Sequence, residues 1–406
     1  MHRIILCCLA VAAALVVGSA PLSALDANGP SWLPRETVAT GVSVSSGADR
    51  VLAFDHFGNP GIAFHDGTND DLRYARRVPG AGWVSAAVDS TSTVGSYPSL
   101  AYDRYERPAI AYCDSTNTAV KFAYYDGAAW NVQTVDAVGI VGYYAHLAFD
   151  LYGHAAIAYQ DATNRTLKYV EDTNGNMSFA DETPVMVPRS ASQYPGYYPS
   201  LAFDKLNRPM IAHYDANDDN LLFSVREPGI GWVTTTVDSN GDTGYYLSLA
   251  INPRTGYPAI AFQRPGGPKA LGFAQWDGNA WDVRNVRAGA YFYDVSLAFD
   301  PADGNPAISY YLGSLTLSWF DGNDWHWQST GYGGEYTSLA FNDYGDGWPA
   351  IASISGGTLS YLEDPPGVPE PATGAALMAG AAALLARRRA CARKPTYQSG
   401  FPWHLK

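Results

Sequence analysis

Tyrosine recurs at one fixed position of the chain, three residues before a Leu that is itself repeated along the sequence. The tyrosines at this position are Tyr97, Tyr144, Tyr198, Tyr246 and Tyr336. A tyrosine ring offers a flat apolar face with a polar hydroxyl at one end, and such faces stack on the apolar side of pyranose sugars. If the fold gathers these side chains, they predict a binding platform for carbohydrate. The alternative is that they only pack between neighbouring repeats.

Acidic residues occupy a second repeated position, further along each unit. They are Asp66, Asp114, Asp161 and Asp215, and Arg264 stands at the equivalent place of the fifth unit. Carboxylates accept hydrogen bonds from sugar hydroxyls, so the sequence predicts ligand contacts here. Carboxylates also bind Ca²⁺, which is the one cofactor that this pattern could hold. Three of these residues also begin Asp-x-x-Asn stretches, which form turns without any ligand.

Both sets of residues belong to one unit that occurs seven times. Each copy carries Leu-Ala-Phe-Asp or a close variant, followed by a segment like Pro-Ala-Ile-Ala-Tyr, at a spacing of roughly 48 residues. In the second copy, period-two alternation and turn residues predict four strands, at 99–102, 109–112, 120–125 and 130–135. The Asp126-Gly127 pair lies between the last two strands, where glycine permits a tight hairpin.

A four-stranded unit repeated seven times is typical of a β-propeller blade. The seventh copy ends after its third strand, and residues 32–38 resemble the fourth-strand segments 83–88 and 232–237. We therefore predict an all-β, seven-bladed propeller over residues 31–364, closed by an N-terminal strand that completes the last blade. Closure would remove the open sheet edges that invite aggregation. A linear β-solenoid is the alternative, but it does not explain why the chain begins with a fourth-strand segment while the seventh copy lacks one.

Composition and charge restrict the function classes. Charged residues make up 16% of the chain, which argues against a coiled coil, and a 47% hydrophobic share argues against disorder. The formal net charge of −13 at pH 7 argues against a nucleic-acid partner. The predicted propeller contains one cysteine, Cys113, so no disulfide within it is expected and the core alone must stabilise it.

The repeat is similar to those of bacterial propellers of the sialidase superfamily, in its Leu-Ala-Phe-Asp, Gly-Asn-Pro and Ile-Ala-Tyr segments. That resemblance covers nearly all of residues 31–364 and implies the fold, with a sialidase-like glycoside hydrolase or lyase as the implied activity. A sialidase mechanism requires an arginine cluster and a tyrosine beside a Glu. Only Arg50 and Arg264 fall near the predicted mouth, and Glu335 precedes Tyr336. Asp161 and Asp215 could instead form a hydrolytic carboxylate pair.

The two ends of the chain carry targeting signals. Residues 1–25 combine a basic start, an apolar run and small residues, which predicts a signal peptide. Residues 365–389 contain Pro369-Glu370-Pro371, an apolar stretch at 372–386 and three arginines, and residues 390–406 follow as a tail. This order resembles the PEP-CTERM sorting signal of Gram-negative bacteria. The resemblance implies export, transient inner-membrane anchoring, and processing at Pro369, Glu370 and Pro371 by an exosortase-type transpeptidase. A plain membrane anchor is the alternative.

The sequence favours binding over catalysis. It contains no His-Glu-x-x-His metal motif, phosphate-binding loop, dinucleotide fingerprint or Gly-x-Ser-x-Gly elbow. We predict a protein of the cell surface or extracellular matrix that binds polysaccharide or a glycosylated partner at the tyrosines. The sialidase-like hydrolase or lyase is one alternative, and a structural matrix component without a specific ligand is the other.

Overall fold

Each repeat folds into one antiparallel sheet whose strands follow chain order. The computed structural model describes Leu25 and residues 28–43, 50–188, 194–343 and 347–364. The first strands of successive sheets contact one another, which places them innermost around a common axis. Seven sheets arranged in this way form the predicted seven-bladed β-propeller, and that prediction is confirmed.

The strands are numbered in chain order and grouped by blade. Blade 1 comprises β2 (Val42–Ser43), β3 (Leu52–Phe54), β4 (Pro60–Asp66), β5 (Asp71–Val78) and β6 (Gly82–Asp89). Blade 2 comprises β7 (Val94–Tyr102), β8 (Pro108–Asp114), β9 (Ala119–Tyr125) and β10 (Trp130–Asp136). Blade 3 comprises β11 (Val141–Phe149), β12 (Ala155–Asp161), β13 (Thr166–Glu171) and β14 (Val185–Met186). Blade 4 comprises β15 (Tyr197–Phe203), β16 (Pro209–Asp215), β17 (Asn220–Glu227) and β18 (Gly231–Asp238).

The remaining blades follow the same order. Blade 5 comprises β19 (Tyr245–Ile251), β20 (Pro258–Arg264), β21 (Ala270–Trp276) and β22 (Trp281–Ala288). Blade 6 comprises β23 (Tyr293–Phe299), β24 (Pro306–Tyr311), β25 (Leu315–Phe320) and β26 (Trp325–Ser329). Blade 7 comprises β27 (Glu335–Phe341), β28 (Pro349–Ser355), β29 (Thr358–Glu363) and β1 (Glu36–Thr40). We call the four strand positions of each blade A to D from the axis outward; β2 and β3, which both pair with β4, share position A of blade 1.

The two ends of the propeller meet in blade 7. Strand β1 pairs with β29 in antiparallel register, with Glu36 opposite Tyr361 and Thr40 opposite Thr358. The Leu33 amide also donates to the Glu363 carbonyl at 3.0 Å. The N-terminal strand therefore supplies strand D of the last blade, as the incomplete seventh copy predicts.

A ring of hydrogen bonds joins all seven blades at the axis. The residue before each anchoring Leu accepts the amide of the Leu in the next blade, as Ser99 does from Leu147 and Ser200 from Leu249, both at 3.0 Å. His146 is the acceptor in blade 3, through Nδ1. Blade 1 is the exception, because its acceptor is the main-chain carbonyl of Arg50, two residues before Leu52. The other members of the ring are Ser248, Ser296 and Ser338. The ring fixes the angular position of every blade.

Large and small side chains interlock between neighbouring sheets. Phe122 of blade 2 packs in one cluster with Ile157 and Tyr159 of blade 3, and all three are fully buried. Ala109 and Ala155 of the same cluster leave room for these larger side chains. Among the described residues, no helix is long and apolar enough to cross a membrane.

Candidate functional site

The five predicted tyrosines come together at one end of the axis. Ring centroids are 4.8 Å apart between Tyr97 and Tyr144, 4.8 Å between Tyr144 and Tyr198, and 5.2 Å between Tyr198 and Tyr246. Tyr336 of blade 7 lies close enough to Tyr97 for their phenols to interact electrostatically. All five are half-buried, so each keeps part of its ring open to solvent. We call these five residues the tyrosine mouth.

A second row of tyrosines widens this surface. Tyr245 lies 6.0 Å from Tyr198, and Tyr293 lies 5.9 Å from Tyr246, measured between ring centroids. Tyr143 likewise contacts Tyr97 at 5.8 Å in an edge-on arrangement. The result is an arc of phenols across the described parts of blades 2 to 6, with offset and edge contacts that favour aromatic packing.

Left-handed backbone conformations hold the tyrosine mouth in place. The φ angles are 51° at Tyr97, 55° at Tyr144, 51° at Tyr198, 44° at Tyr246 and 54° at Tyr336. In every one of these blades the A–B register shifts at the same point, so the residue sits in a β-bulge. For a residue with a β-carbon this conformation costs roughly 1–2 kcal/mol. Repeated strain of this kind at a single mouth marks a candidate functional surface.

Asp294 occupies the same left-handed position in blade 6, with φ of 54°. Its Oδ2 accepts the Tyr336 amide at 2.9 Å, and its main-chain carbonyl accepts the Thr337 hydroxyl at 2.7 Å. Burial raises the pKa of Asp294 to about 6; the Tyr336 amide opposes this rise and the nearby Glu335 carboxylate adds to it. The mouth therefore contains one carboxyl group that holds a proton at mildly acidic pH.

Three phenols of the mouth, those of Tyr198, Tyr246 and Tyr336, are held in their neutral form. Burial raises the pKa of Tyr246 to about 12, and Asp294 and Tyr336 contribute to the rise. Burial and neighbouring phenols also raise the pKa of Tyr198, and burial with Asp294 and Glu335 raises that of Tyr336. These hydroxyls are therefore hydrogen-bond donors and acceptors near neutral pH, and none of the three is activated as a nucleophile.

The four predicted carboxylates are used inside the fold. Asp66, Asp114 and Asp161 each accept hydrogen bonds from the Asn three residues later and cap the B–C turn. Asp215 accepts the Tyr194 amide at 2.7 Å and the Asn217 amide at 3.1 Å. Their exposed fractions range from 0% to 9%. Hydrogen bonds within the turns therefore occupy oxygens of Asp66, Asp114 and Asp161, whereas Oδ2 of Asp215 is buried without a hydrogen-bond partner among the described residues. Ligand contact at these four residues, and a hydrolytic pair of Asp161 with Asp215, stay predictions.

Buried ion pairs that join neighbouring blades lie beside these aspartates. Lys168 of blade 3 places Nζ 2.9 Å from Asp136 of blade 2 and 3.0 Å from Asp161 of its own blade. Lys121 bridges blades 1 and 2 in the same way through Asp89. Tyr159 donates to Asp136 at 2.8 Å and completes the group.

In blade 5 the cation that pairs with the preceding blade is Arg264. It lies on strand B, whereas Lys121 and Lys168 lie on strand C. Its guanidinium pairs with Asp238 of blade 4 and contacts Asn285. Gly272 stands at the strand-C place where blades 2 and 3 have lysine, and a β-carbon there would lie 2.5 Å from the Phe262 ring. Arg264 thus has a structural role between blades 4 and 5, with only 6% of the residue exposed, and its predicted ligand contact stays a prediction.

The arginine cluster of a sialidase-like site does not form in the described residues near the mouth. Arg50 reaches across the axis and donates to the Leu249 carbonyl of blade 5. Arg264 is committed to its pair with Asp238. The described residues also contain no group of three or more His, Cys, Asp or Glu that could hold a metal ion, so Ca²⁺ binding stays a prediction from the sequence.

Sequence reasoning placed Asp294 in the repeated position but assigned it no role. Asp49 and Asp294 are the two residues that stand there in place of tyrosine, and that exception is the signal available in the sequence. The residues of the sorting signal, Pro369, Glu370 and Pro371, lie outside the described residues, as do the predicted signal peptide up to residue 24 and the tail.

Comparison with known proteins shows the fold. No protein-family model matches the chain, and no curated protein sequence matches it significantly. An ulvan lyase from a new polysaccharide lyase family, solved alone and bound to GlcA(1-4)Rha3S, superposes with a TM-score of 0.56 at 14% identity, covering 81% of this chain and 95% of that one.

Two further neighbours have lower TM-scores. An α-L-arabinanase of Penicillium chrysogenum complexed with arabinobiose has a TM-score of 0.49 at 12% identity, covering 66% of this chain and 92% of its own. A Hadza microbial sialidase has a TM-score of 0.47 at 12% identity, covering 72% and 73%. The likeness to the ulvan lyase, at 14% identity, shows the fold alone.

Proposed function

We propose that the tyrosine mouth binds a polysaccharide chain. The observation that carries this proposal is the set of left-handed bulges, which present five half-exposed rings as one continuous surface. Packing alone would not require a bulky side chain in a strained conformation at the same place in five blades. The raised pKa values of Tyr198, Tyr246 and Tyr336 keep these phenols neutral, so they suit hydroxyl-rich ligands more than anions or cations.

The ligand class also follows from what surrounds the rings. Flat aromatic faces with a few polar groups at their edges are typical of sugar sites, because each sugar buries an apolar face and directs hydroxyls outward. An ulvan lyase of the same architecture is described in complex with a saccharide, which supports a carbohydrate ligand. A structural matrix protein without ligand would have no need for the strained arc.

Catalysis on the bound chain is the second candidate, and Asp294 favours it. Its carboxyl group carries a pKa of about 6 and lies among Tyr246, Tyr336 and Glu335. A protonated carboxyl at this pKa can protonate the leaving oxygen of a glycosidic bond, and Glu335 is the neighbouring carboxylate that could act as base. The ulvan lyase that superposes on this chain is named as a polysaccharide lyase, which supports a catalytic reading more than binding alone.

Titration calorimetry over a panel of neutral and acidic polysaccharides tests binding. The informative variant is Tyr144→Ser with Tyr198→Ser, and the matched control is Tyr105→Ser with Tyr152→Ser, because those tyrosines are exposed on the opposite face. We expect binding to fall at least tenfold in the mouth variant, since stacking contributes about 1 kcal/mol per ring, and to persist in the control. Equal loss in both variants, or no binding to any polysaccharide, would contradict the proposal.

Product analysis separates catalysis from binding. New reducing ends report hydrolysis, and the ultraviolet absorbance of an unsaturated sugar reports elimination. If the mouth is catalytic, Asp294→Asn retains calorimetric binding and loses product formation. If wild-type protein forms no product on any polysaccharide that it binds, the binding function stands and the catalytic candidate is rejected.

The proposal also places this function outside the cytoplasm, supported by the signal-like residues 1–25 and the PEP-CTERM-like residues 365–389. Replacing Pro369, Glu370 and Pro371 by alanine is expected to keep the protein in the inner-membrane fraction of its native host. Unchanged release of that variant would argue against processing by an exosortase-type transpeptidase.

A further inference from the structure

One contact between neighbouring blades is built from a tyrosine, a glutamate and an arginine. In blade 3 the Tyr169 hydroxyl donates to the Glu171 carboxylate at 2.7 Å, and Glu171 forms a bidentate pair with Arg226 of blade 4 at 2.7 and 2.8 Å. Trp232 of blade 4 packs edge-on against Tyr169, with ring centroids 5.1 Å apart. A carboxylate therefore fills the space between the phenol of one blade and the arginine of the next.

Blades 7 and 1 repeat this contact. The Tyr361 hydroxyl donates to the Glu363 carboxylate at 2.9 Å, and Glu363 pairs with Arg77 of blade 1 at 2.6 Å. Trp83 takes the edge-on place beside Tyr361, again at 5.1 Å. Strand pairing gives all four residues the same positions as their counterparts in blades 3 and 4. The arrangement thus belongs to the repeat and is not peculiar to one interface.

Between blades 1 and 2 the same arrangement lacks its carboxylate. Tyr74 and Trp130 stand at the tyrosine and tryptophan positions, edge-on and 5.5 Å apart. Arg76 occupies the position of the glutamate, and Tyr125 occupies that of the arginine. This interface therefore keeps the aromatic pair but has a cation where the other two have an anion.

A cavity of about 480 Å³ opens at this interface. Tyr74, Tyr102, Tyr125 and Trp130 form its aromatic wall, and Arg76 lines it as well. We call it the interblade cavity. Its volume lies within the range of small-molecule pockets, roughly 300–1,000 Å³. The missing carboxylate thus coincides with a space that a ligand can enter.

Two phenols in the interblade cavity leave one hydroxyl hydrogen for a ligand. The Tyr74 and Tyr102 hydroxyls lie 2.7 Å apart, and either could donate to the other. Whichever donates, the hydrogen of the second hydroxyl has no acceptor among the described residues. Gly61 permits this close approach, because a β-carbon there would collide with the Tyr102 hydroxyl. Burial raises the pKa of both phenols, so both keep their hydrogens near neutral pH.

The Arg76 guanidinium lies near these hydroxyls and has no carboxylate partner in the described part of the chain. Its charge opposes the rise in the pKa of Tyr74 and of Tyr102, which indicates that it faces both phenols. Arg76 is exposed, so a ligand from solvent can reach it. A guanidinium and a phenol hydroxyl are the same two groups that hold the carboxylate of Glu171.

Two carboxylates also line the interblade cavity, and each is engaged by its own turn or the next one. Asp55 accepts the main-chain and side-chain amides of Asn59, at 2.8 and 2.9 Å. Glu106 accepts the His56 amide at 2.6 Å and lies 2.6 Å from the His56 ring. Neither pairs with Arg76. Because their negative charge remains nearby, a ligand with one negative charge is favoured over a multiply charged anion.

We propose that the interblade cavity binds a carboxylate carried on a small ring, of which a uronic acid is the sugar form. The Arg76 guanidinium pairs with the carboxylate, and the remaining hydrogen of the phenol pair donates to it, as blades 3 and 4 do for Glu171. Tyr125 and Trp130 offer flat apolar faces to the ring. The cavity lies towards the A–B turns, at the end opposite the tyrosine mouth, so the inference does not depend on what the mouth binds.

Titration calorimetry on the full-length chain tests this site with small probes. The probes are methyl β-D-glucuronide, benzoate and, without a charge, methyl β-D-glucoside. We expect at least one of the two carboxylates to bind, and their relative affinity distinguishes a sugar acid from an aromatic acid. The glucoside should bind about tenfold more weakly than the glucuronide or not at all, because it cannot pair with arginine.

Single groups of the cavity are tested by substitution. Arg76→Met should weaken carboxylate binding about tenfold or more, and Tyr74→Phe with Tyr102→Phe should weaken it several-fold. Blade 4 already has phenylalanine at both strand positions, so the fold tolerates this change. The matched control is Arg104→Met, an exposed arginine of the same end that bonds to blade 3, and it should bind like the wild type.

A variant that closes the cavity separates ligand binding from folding defects. Arg76→Glu with Tyr125→Arg rebuilds the carboxylate–guanidinium pair of the other two interfaces at the same positions. We expect this double variant to lose carboxylate binding and to melt at a higher temperature than Arg76→Glu alone, since the two new side chains pair with each other.

Four results would overturn the proposal. The first is that neither glucuronide nor benzoate binds, and the second is that glucuronide and glucoside bind equally. The third is an equal loss of binding in Arg76→Met and Arg104→Met, which would indicate general attraction by positive charge. The fourth is a loss confined to Tyr144→Ser with Tyr198→Ser, which would place the carboxylate at the tyrosine mouth.

Discussion

At the scale of single residues, the tyrosine mouth combines strain with exposure. Tyr198 has a φ of 51° and stacks on Tyr144 and Tyr246. The sequence predicted the gathering of these rings, since their spacing from the anchoring Leu is constant. It could not predict the left-handed backbone, because nothing in the types Tyr, Pro and Ser around the position demands a positive φ.

Replacing Tyr198 by glycine should abolish ligand binding with little change in stability. Glycine removes roughly 1 kcal/mol of left-handed strain, which offsets a similar loss of aromatic contact. Thermal unfolding and calorimetry with the best polysaccharide measure the two effects. The control is Tyr124→Gly, in which a strand tyrosine with an ordinary φ is lost and the melting temperature should fall clearly. A large stability loss in Tyr198→Gly would indicate that the ring is there for packing.

Replacing Asp294 by asparagine should stabilise the protein near neutral pH. The folded pKa of about 6 lies above the ordinary value of 3.8, so the folded state holds the proton more tightly than the unfolded state. Stability therefore falls as the pH rises from about 4 to 6, and the full penalty, about 3 kcal/mol, persists at neutral pH. Asparagine carries no charge and can still accept the Tyr336 amide.

Unfolding in denaturant at neutral pH and near pH 4 measures this difference. We expect Asp294→Asn to exceed the wild type at neutral pH and to match it closely at the acidic pH. The opposite order would mean that the Asp294 carboxylate is stabilised in the fold, and it would remove the basis for a protonated group at the mouth.

At the scale of elements, most of the blade was predictable. The predicted strands of blade 2 at 109–112, 120–125 and 130–135 fall within the observed β8, β9 and β10. Strand β7 begins at Val94, well before the predicted 99, because the bulge at Tyr97 interrupts the alternation on which the prediction relied. Local patterns specify the regular part of a strand, and the bulge depends on contacts between blades.

The role of Arg264 shows the same limit. Its place in an acidic series indicated a ligand contact, whereas its partner Asp238 lies in another blade. Blade 5 has Gly272 on strand C where blades 2 and 3 have lysine, and this was the one sequence feature to indicate that the cation of blade 5 comes from another strand. It could be recognised only once Lys168 was known to bridge two blades.

Removing the cation between blades 2 and 3 should be strongly destabilising. Lys168→Met leaves Asp136 and Asp161 buried without a counter-charge, which costs about 3 kcal/mol or more. Denaturant unfolding measures the loss, and Arg284→Ala, which breaks an exposed pair with Asp282, should change it by less than about 1 kcal/mol. Similar small effects for both variants would show that the buried network contributes nothing.

The same network predicts that the protein loses stability in acid. Burial raises the pKa of Asp161, but hydrogen bonds from Asn164 and Lys168 outweigh this and hold the pKa below its ordinary value. Its stabilising contribution is therefore present above the ordinary pKa and is lost as the pH falls through the folded one.

At the scale of the whole molecule, the N-terminal strand closes the ring. Deleting residues 31–40 removes the partner of β29 and exposes a strand edge. We expect a lower melting temperature and concentration-dependent association by size-exclusion chromatography. Placing the same residues after Asp364 through a short linker should restore both properties, because the strand enters the same slot. A monomeric deletion variant of unchanged stability would contradict closure by β1.

The two ends of the propeller axis differ in surface chemistry. A surface of phenols occupies one end of the axis. The other end, where the last described strand finishes, carries exposed apolar side chains such as Leu206 on the A–B turns and exposed carboxylates such as Asp126 on the C–D turns. The architecture was readable from the repeat, whereas this polarity was not, because exposure of Leu206 or pairing of Arg104 depends on how the turns of neighbouring blades meet.

The most direct test is a crystal structure of the propeller soaked with an oligosaccharide cut from the polysaccharide that binds best. We predict pyranose rings lying on Tyr144 and Tyr198, with hydroxyls directed to neighbouring phenols and one sugar beside Asp294. Saccharide bound only between blades or on the outer strands, with the tyrosine mouth left to solvent, would contradict the account.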